Sequence, residues 1–453
     1  MNDKDTIAAI CSGVGGAITV IRISGSGALN VGNSVWKSRK TLSEDTKGRF
    51  LLGKIMPDSS GIGETAFAVF MKGPNTFTGE DVVELHAHGG AFNSRRIFNA
   101  VLNHGARQAA PGEFTYRAFI NGKMDMTQAE AVCDLINANS SMALHLAEKQ
   151  MEGVLGRKIK SLQTQLIDVL IECEARIDFP EEELDFKSRE ELDKEISLVQ
   201  EEMLNLYETR FEGRVIREGV RVVIAGKPNA GKSSLMNLLL GYDRAITTDI
   251  PGTTRDTLEE FINIRGIPIK LIDTAGLRDS DNVIESIGMQ KTISSMETSQ
   301  IILWLLDASI VDLKSETTEM EKYLGGNKNV IAVWNKSDLL ADVSSLPPVD
   351  YDAAVISVKN ETGIEKLLDI IEKKAWDHPH EKEPELAISQ RHAEHLKKSL
   401  SFIPDVQNNL RLENWELAAI SLRQMISCLK NITGEDATLD IYATIFSKFC
   451  IGK

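Results

Sequence analysis

The feature that most constrains this chain is the run Gly226-Lys-Pro-Asn-Ala-Gly231-Lys232-Ser233. It follows the apolar stretch Arg-Val-Val-Ile-Ala and opens the helix-forming stretch Ser-Ser-Leu-Met-Asn-Leu-Leu-Leu. A strand, a glycine-rich turn and a helix in that order form a phosphate-binding loop. The glycines let backbone amides converge on the phosphates, and the helix N-terminus adds a favourable dipole. Lys232 is placed to bridge the β- and γ-phosphates and the Ser233 hydroxyl to ligate Mg²⁺, with Asn229, Ala230, Gly231 and Ser234 lining the same turn.

Three further elements follow in the order that a guanine nucleotide requires. Asp273-Thr274-Ala275-Gly276 ends the strand Ile-Lys-Leu-Ile, so its carboxylate can hold a magnesium water and the Gly276 amide can meet the γ-phosphate. Asn335-Lys336-Ser337-Asp338 ends the strand Val-Ile-Ala-Val-Trp. Asp338 can accept from guanine N1–H and the 2-amino group, donors that adenine lacks. Ser357-Val358-Lys359 lies after a further strand, where a backbone amide can meet guanine O6. GTP is the nucleotide these elements select.

The apolar runs 221–225, 269–272, 301–306 and 330–334 alternate with helical stretches such as 231–240 and 284–297. That alternation predicts an α/β fold with a mainly parallel sheet over residues 218–377. Upstream, Ile18–Ile23, Thr65–Phe70 and 81–86 read as strands and 92–102 as a helix, which predicts a small α+β domain over residues 1–120. Leu155, Ile159, Leu162, Leu166 and Val169 then recur every three or four residues, as do Trp415, Ala419, Leu422, Ile426 and Leu429. Each is one stripe of a helix in need of a partner. The economical reading is one discontinuous helical domain, residues 121–217 plus 378–453, with the α/β domain inserted between its halves.

The totals set bounds on this reading. A chain of 453 residues exceeds one ordinary core. No apolar run is long enough to span a membrane, no secretory signal opens the chain, and five scattered cysteines lack a CxxC pair. A cytoplasmic protein with reduced thiols is expected. The formal charge of −15 argues against broad nucleic-acid binding, but residues 172–202 hold thirteen acids against four bases, so the excess is local. His86 and His88 have strand-like metal spacing without further ligands, and no zinc is expected.

These motifs resemble the MnmE (TrmE) family of tRNA-modification GTPases. Besides the phosphate loop, the resemblance rests on Thr-Asp-Ile-Pro-Gly-Thr-Thr-Arg-Asp at 248–256 and Asp-Thr-Ala-Gly-Leu-Arg at 273–278. Outside the α/β region it rests on Ile21-Arg-Ile-Ser-Gly25, Phe77-Thr-Gly-Glu-Asp81, the run from Pro111 to Ala131 and the terminal Phe449-Cys-Ile-Gly-Lys453. Many GTPases orient water with a glutamine after the Asp-x-x-Gly element. Leu277 stands there, and Arg255 and Arg278 are no more than candidate arginine fingers.

The resemblance implies a K⁺ ion held by Asn229, Thr248, Ile250 and Thr253, with Thr254 completing the Mg²⁺ shell of Ser233. It implies that Glu285 orients the water; from residues alone, Glu285 reads first as a first-turn glutamate favourable to a helix dipole. It also implies that the N-terminal domain forms a homodimer and binds a tetrahydrofolate derivative (5,10-methylene or 5-formyl) through Arg22, Glu84, Lys123 and Lys453. Cys450 stays unassigned. The implied activity adds a carboxymethylaminomethyl or aminomethyl group to C5 of the wobble uridine of tRNA. The flavin step would belong to an FAD- and NADH-dependent partner, MnmG, in a heterotetramer, because this chain has no dinucleotide fingerprint. A switch or assembly GTPase and a non-catalytic folate sensor are the competing readings.

Overall fold

The computed structural model describes residues 5–13, 15–57, 63–179, 185–242, 259–273, 296–324, 329–340, 342–376, 386–436, 445–447, 449 and 452. The chain divides into two compact units, one of residues 1–133, 150–203 and 395–453, the other of residues 134–149 and 204–394.

The first unit holds a seven-stranded sheet and a helical part. The strands are β1 (Ile7–Ile10), β2 (Ile18–Ser24), β3 (Trp36–Lys37), β4 (Leu51–Ile55), β5 (Glu64–Met71), β6 (Val82–His88) and β7 (Arg107–Gln108), in the order β3-β4-β5-β6-β2-β1-β7. All neighbours are antiparallel except β1 and β7. Alternation along β2 and β6 decides what each face carries. Ile21, Ile23, Val83, Leu85 and Ala87 point into one core with Ile97 and Val101 of the helix Ala91–Asn103. Arg22, Glu84 and His86 have the opposite parity and emerge on the other face, with Arg22 paired directly across from Glu84. The three expected strands lie within β2, β5 and β6, give or take two residues at their ends. Sequence reading passed over β1, β3, β4 and β7, none longer than five residues.

The helical part of this unit joins two distant stretches of chain. The helix Val154–Asp178 buries Leu155, Ile159, Leu162, Leu166 and Val169, and packs on Trp415–Thr433, which buries Ala419, Leu422, Ile426 and Leu429. These are the two stripes that needed partners, and each is the other's partner. Arg423 closes the exposed rim with Glu174 at 2.6 Å. Arg176 lies over the Trp415 ring at 4.2 Å and pairs with Glu172 at 3.5 Å, so its cation is met by a ring and a carboxylate together. The first helix stops two residues before Pro180, as the restriction on a residue preceding proline requires.

The second unit is built on β8 (Val220–Gly226), β9 (Glu259–Ile264), β10 (Ile267–Asp273), β11 (Ile301–Asp307), β12 (Val330–Asn335) and β13 (Asp352–Val355). Their order is β13-β12-β11-β8-β10-β9, and all are parallel except β9. Unbroken apolar runs suit such strands because both faces are covered. Ile224, Leu303 and Val333 face one core, and Val223, Trp304 and Trp334 face the other. The expected strands and the expected helix at 231–240 (observed Lys232–Tyr242) are present. The helix expected at 284–297 lies mostly outside the described residues. Among those that are described, no helix is long and apolar enough to cross a membrane.

Candidate functional site

The strand order reverses at β8, which lies between β11 and β10. In an open parallel sheet a crevice forms at that point, outside the carboxyl ends of the strands. The carboxyl ends of β8, β10, β11 and β12 carry Gly226, Asp273, Asp307 and Asn335 respectively. The motifs that were separate in sequence therefore meet along one sheet edge.

The turn after β8 takes its shape from three positive-φ residues: Gly226 at +138°, Asn229 at +63° and Gly231 at +100°. A Cβ on Gly226 would stand 2.4 Å from the Leu305 carbonyl oxygen, and one on Gly231 would stand 2.3 Å from Asn335 Nδ2. Lys232 folds back over the turn, donating from Nζ to the carbonyls of Gly226 at 2.9 Å and Lys227 at 2.8 Å. Ser233 and Ser234 are exposed at the start of the helix, where the first backbone N–H groups lack intrahelical partners. Asp273, at the end of β10, pairs with Ile224 two residues before the turn.

The other half of the site is laced together by side chains. Asn335 is buried; its Nδ2 donates to the Ala230 carbonyl at 2.8 Å, and its Oδ1 accepts from the Val358 amide at 3.2 Å. Ser357 donates to Asp338 Oδ1 at 2.7 Å and accepts from the Asn360 amide at 3.2 Å. Lys336, at φ +65°, pairs with Asp307 at 2.6 Å. Burial works to raise the Asp307 carboxyl, but Lys336 and the hydrogen bonds from Ser309 outweigh it and hold the group below its ordinary range. Asn335, Lys336, Asp338, Ser357 and Val358 are thus one assembly, and Lys359 stands exposed at its edge. Thr248, Ile250, Thr253, Thr254, Thr274, Ala275, Gly276 and Glu285 lie outside the described residues.

In the first unit, Arg22 Nε donates to Glu84 Oε1 at 2.8 Å, and the His86 ring nitrogen Nε2 lies 3.2 Å from Glu84 Oε2. The His86 contact, opposed by burial and helped by the Arg22 charge, holds the Glu84 carboxyl below its ordinary range. The Arg22 guanidinium lies 5.8 Å from the ring centres of both Phe77 and Phe114. Lys123 donates to the Pro74 carbonyl at 2.9 Å, so it borders the loop that carries Phe77. Lys453 lies outside the described residues, but the adjacent Gly452 carbonyl accepts from the Cys11 thiol at 3.2 Å, and the Cys11 amide bonds to Val20 beside Arg22. Arg22 and Glu84 are brought together, and Lys123 stands one loop away.

Two groups of residues escaped sequence reading. His86 was seen only as half of a histidine pair, whereas it holds Glu84 while His88 holds Glu64 at 3.0 Å. Arg117 is buried and donates to Glu80, Glu113 and the Asp5 carbonyl, and Glu113, fully buried, also takes both terminal nitrogens of Arg107. The i,i+4 spacing of Glu113 and Arg117 inside the 111–131 motif was the available signal.

A glycine-rich turn at the reversal point of a parallel sheet, tied to an Asn-Lys-x-Asp strand end, defines a phosphate-loop GTPase. Residues 6–123 match the family described as GTP-binding protein TrmE N-terminus, and residues 126–450 match the MnmE helical domain. The chain is 39% identical over 458 residues to the tRNA modification GTPase MnmE of Clostridioides difficile, covering 99% of each. It is 40% identical over 463 residues to the protein of that name from Natranaerobius thermophilus, covering 99% of this chain and 100% of the relative. A third, from Thermoanaerobacter pseudethanolicus, is 40% identical over 459 residues, with 99% of each covered. The chain belongs to the MnmE family of tRNA modification GTPases.

Proposed function

We propose that the chain is a K⁺-activated GTPase which, with an FAD-carrying partner in the cytoplasm, adds a carboxymethylaminomethyl or aminomethyl group to C5 of the wobble uridine of tRNA. The observation that carries the nucleotide half is the meeting of the phosphate turn, Asp273 and the Asn335–Asp338 segment along one sheet edge. Lys232 already folds over the turn, its ammonium on the carbonyls of Gly226 and Lys227, where phosphate oxygens would be its alternative partners. Ser357, by fixing one oxygen of Asp338, aims that carboxylate for guanine.

Three groups would be held beside the chain. Ser233, exposed at the helix start, and Thr254 would hold Mg²⁺. Asn229, exposed on the turn in a left-handed conformation, would hold K⁺ with Thr248, Ile250 and Thr253. A monovalent cation there offsets charge developing between the β- and γ-phosphates, as an arginine finger does. Glu285 would orient the water. In the N-terminal region Arg22, Glu84, Lys123 and Lys453 would bind a tetrahydrofolate derivative, the source of the methylene carbon. The His86 contact and the Arg22 charge favour the ionised form of Glu84 against burial, and that carboxylate would accept the paired donors of a pterin edge.

The domain reading is residues 1–120 for folate binding and homodimer contact, 121–217 plus 378–453 for the helical domain, and 218–377 for the GTPase domain. The MnmG-type partner would supply FAD and NADH in a heterotetramer, and opening and closing of paired GTPase domains would drive the cycle.

The test is GTP turnover by the full chain in matched K⁺ and Na⁺ buffers, repeated with Asn229→Ala. Fast turnover in K⁺ alone, lost in the variant, supports the cation mechanism. Equal turnover in the two salts overturns it.

A further inference from the structure

The phosphate turn carries a second lysine whose charge is already engaged. Lys227 Nζ lies 2.7 Å from Glu316 and 2.9 Å from Glu319, both on the helix Leu313–Leu324. Glu319 is part-exposed, but the Glu316 side chain is only 3% exposed. Its second oxygen accepts from the Asp307 amide at 3.1 Å. A first-turn glutamate that merely favours a helix dipole stands in solvent. Glu316 is instead buried between two partners outside its own helix.

Followed outwards, these contacts close a ring. Asp307, whose amide Glu316 holds, pairs through its side chain with Lys336 and lies opposite Asn335 in the β11–β12 ladder. Asn335 in turn holds the trailing end of the turn at Ala230. The leading end at Lys227 and the trailing end at Ala230 are therefore anchored to the same pair of strand ends, and Asn229 lies between the anchors. The carbonyl of Lys227 is also one of the two that receive Lys232.

We propose that Glu316 is a positioning residue for GTP turnover: by holding Lys227 against the end of β11 it sets the leading half of the phosphate turn, and with it Asn229 and Lys232. The proposal rests on reading residues 226–233 as the GTP phosphate site. Glu316 touches no substrate atom. Its effect passes through the backbone at Lys227 and through the neutralisation of that ammonium, which leaves Lys232 as the turn's cation for phosphate. Misplacement of groups around a reacting centre by 1 Å or so costs up to about 100-fold in rate.

The experiment compares GTP turnover, affinity for a fluorescent GDP analogue and melting temperature for the full-length wild type, Glu316→Gln, Lys227→Met, Lys227→Arg and the Glu316→Gln/Lys227→Met double variant. The amide side chain introduced by Glu316→Gln keeps an oxygen for the Asp307 amide and the shape of the original group, but loses the charge. The expected result is a kcat lowered about tenfold or more in both single variants, near-normal GDP affinity and melting temperature, and no further loss in the double variant. Lys227→Arg, which keeps the ion pair, retains most of the rate. Wild-type turnover in Glu316→Gln or in Lys227→Met overturns the proposal, as does a loss that follows the melting temperature or adds in the double variant. Should Glu316→Gln fail to fold, Lys227→Met against Lys227→Arg decides: equal rates for these two overturn it, and a drop confined to Met supports it. A wild-type protein that fails to bind GDP would instead refute the nucleotide site itself.

Discussion

The side-chain amide of Asn335 donates to the carbonyl of Ala230 at 2.8 Å, joining residues 105 positions apart in the chain. Its oxygen accepts from Val358 at the same time, so one buried side chain holds the phosphate turn and the segment after β13 in a fixed relation. A nucleotide with its phosphates on one and its base on the other reads the distance that Asn335 sets.

Asn335→Ala leaves the buried Ala230 carbonyl and the part-buried Val358 amide without these partners. Unsatisfied buried groups cost about 1–3 kcal/mol each. A lowered melting temperature is expected, together with GDP affinity reduced by about tenfold or more, since roughly 1.4 kcal/mol is a factor of ten. Calorimetric titration with GDP checks this, and unchanged affinity would mean that the two loops hold their spacing without Asn335.

The two glycines that bound the phosphate turn should differ in what they tolerate. Gly226→Ala drives a methyl to 2.4 Å from the Leu305 backbone carbonyl at φ +138°, and the β-sheet cannot yield there. Gly231→Ala meets the end of the Asn335 side chain at 2.3 Å, a group that can rotate, though only by releasing Ala230. Both substitutions are strained at positive φ, so both should lower the melting temperature, Gly226→Ala the more because the backbone carbonyl it meets cannot move, while Gly231→Ala, by displacing Asn335, should also abolish GDP binding. A loss of stability in Gly231→Ala as large as that in Gly226→Ala would contradict that order.

Sequence made the nucleotide half of this site legible because each element is short, contiguous and placed at a strand end by the α/β alternation. Its cross-bracing was not legible. Nothing local marks Asn335 as the partner of Ala230, or Glu316 as the partner of Lys227, since both contacts depend on which strands become neighbours. The two helical stripes announced that they needed partners and, being alike in period, could be paired with each other. In the first unit, strand alternation put Arg22 on one face of β2, but only the register of β2 with β6 sets it opposite Glu84. His86 stands two residues from Glu84 on β6, so strand parity alone puts both on one face, while its contact with the carboxylate is a matter of side-chain geometry.

The buried network around Arg117 supports a third prediction. Arg117 is the common partner of Glu113 and Glu80, and it also donates to the Asp5 carbonyl. Arg107 reaches Glu113 from the other side and, with the Ala110 amide, outweighs the burial that works to raise its carboxyl, so Glu113 stays below its ordinary range. Arg117→Met removes the cation and leaves two carboxylates short of a partner. Breaking a buried pair by removing one member costs about 3–5 kcal/mol. Urea unfolding followed by far-UV circular dichroism should show the midpoint falling by a corresponding amount, and a midpoint within error of wild type would show that Arg107 alone suffices.

The last prediction concerns pH and the Arg22–Glu84–His86 cluster. The Glu84 carboxyl sits below its ordinary value of 4.5, first because His86 bonds to it, against the opposing effect of burial, and then because of the Arg22 charge. A folded-state value below the unfolded one means that the folded state favours the ionised form. The stabilisation is complete above about pH 4.5 and fades as pH falls through the lower folded value. Removing the leading cause should move the group back, so His86→Ala is expected to raise the Glu84 carboxyl and shift the onset of acid-induced loss of structure towards higher pH. Carbon-detected NMR titration of the side-chain carboxyl, in wild type and in His86→Ala, measures this directly. A wild-type Glu84 that titrates at or above the ordinary glutamate value would refute it. If His86→Ala left the carboxyl where it was, Arg22 and not His86 would be what keeps Glu84 ionised in the folded chain.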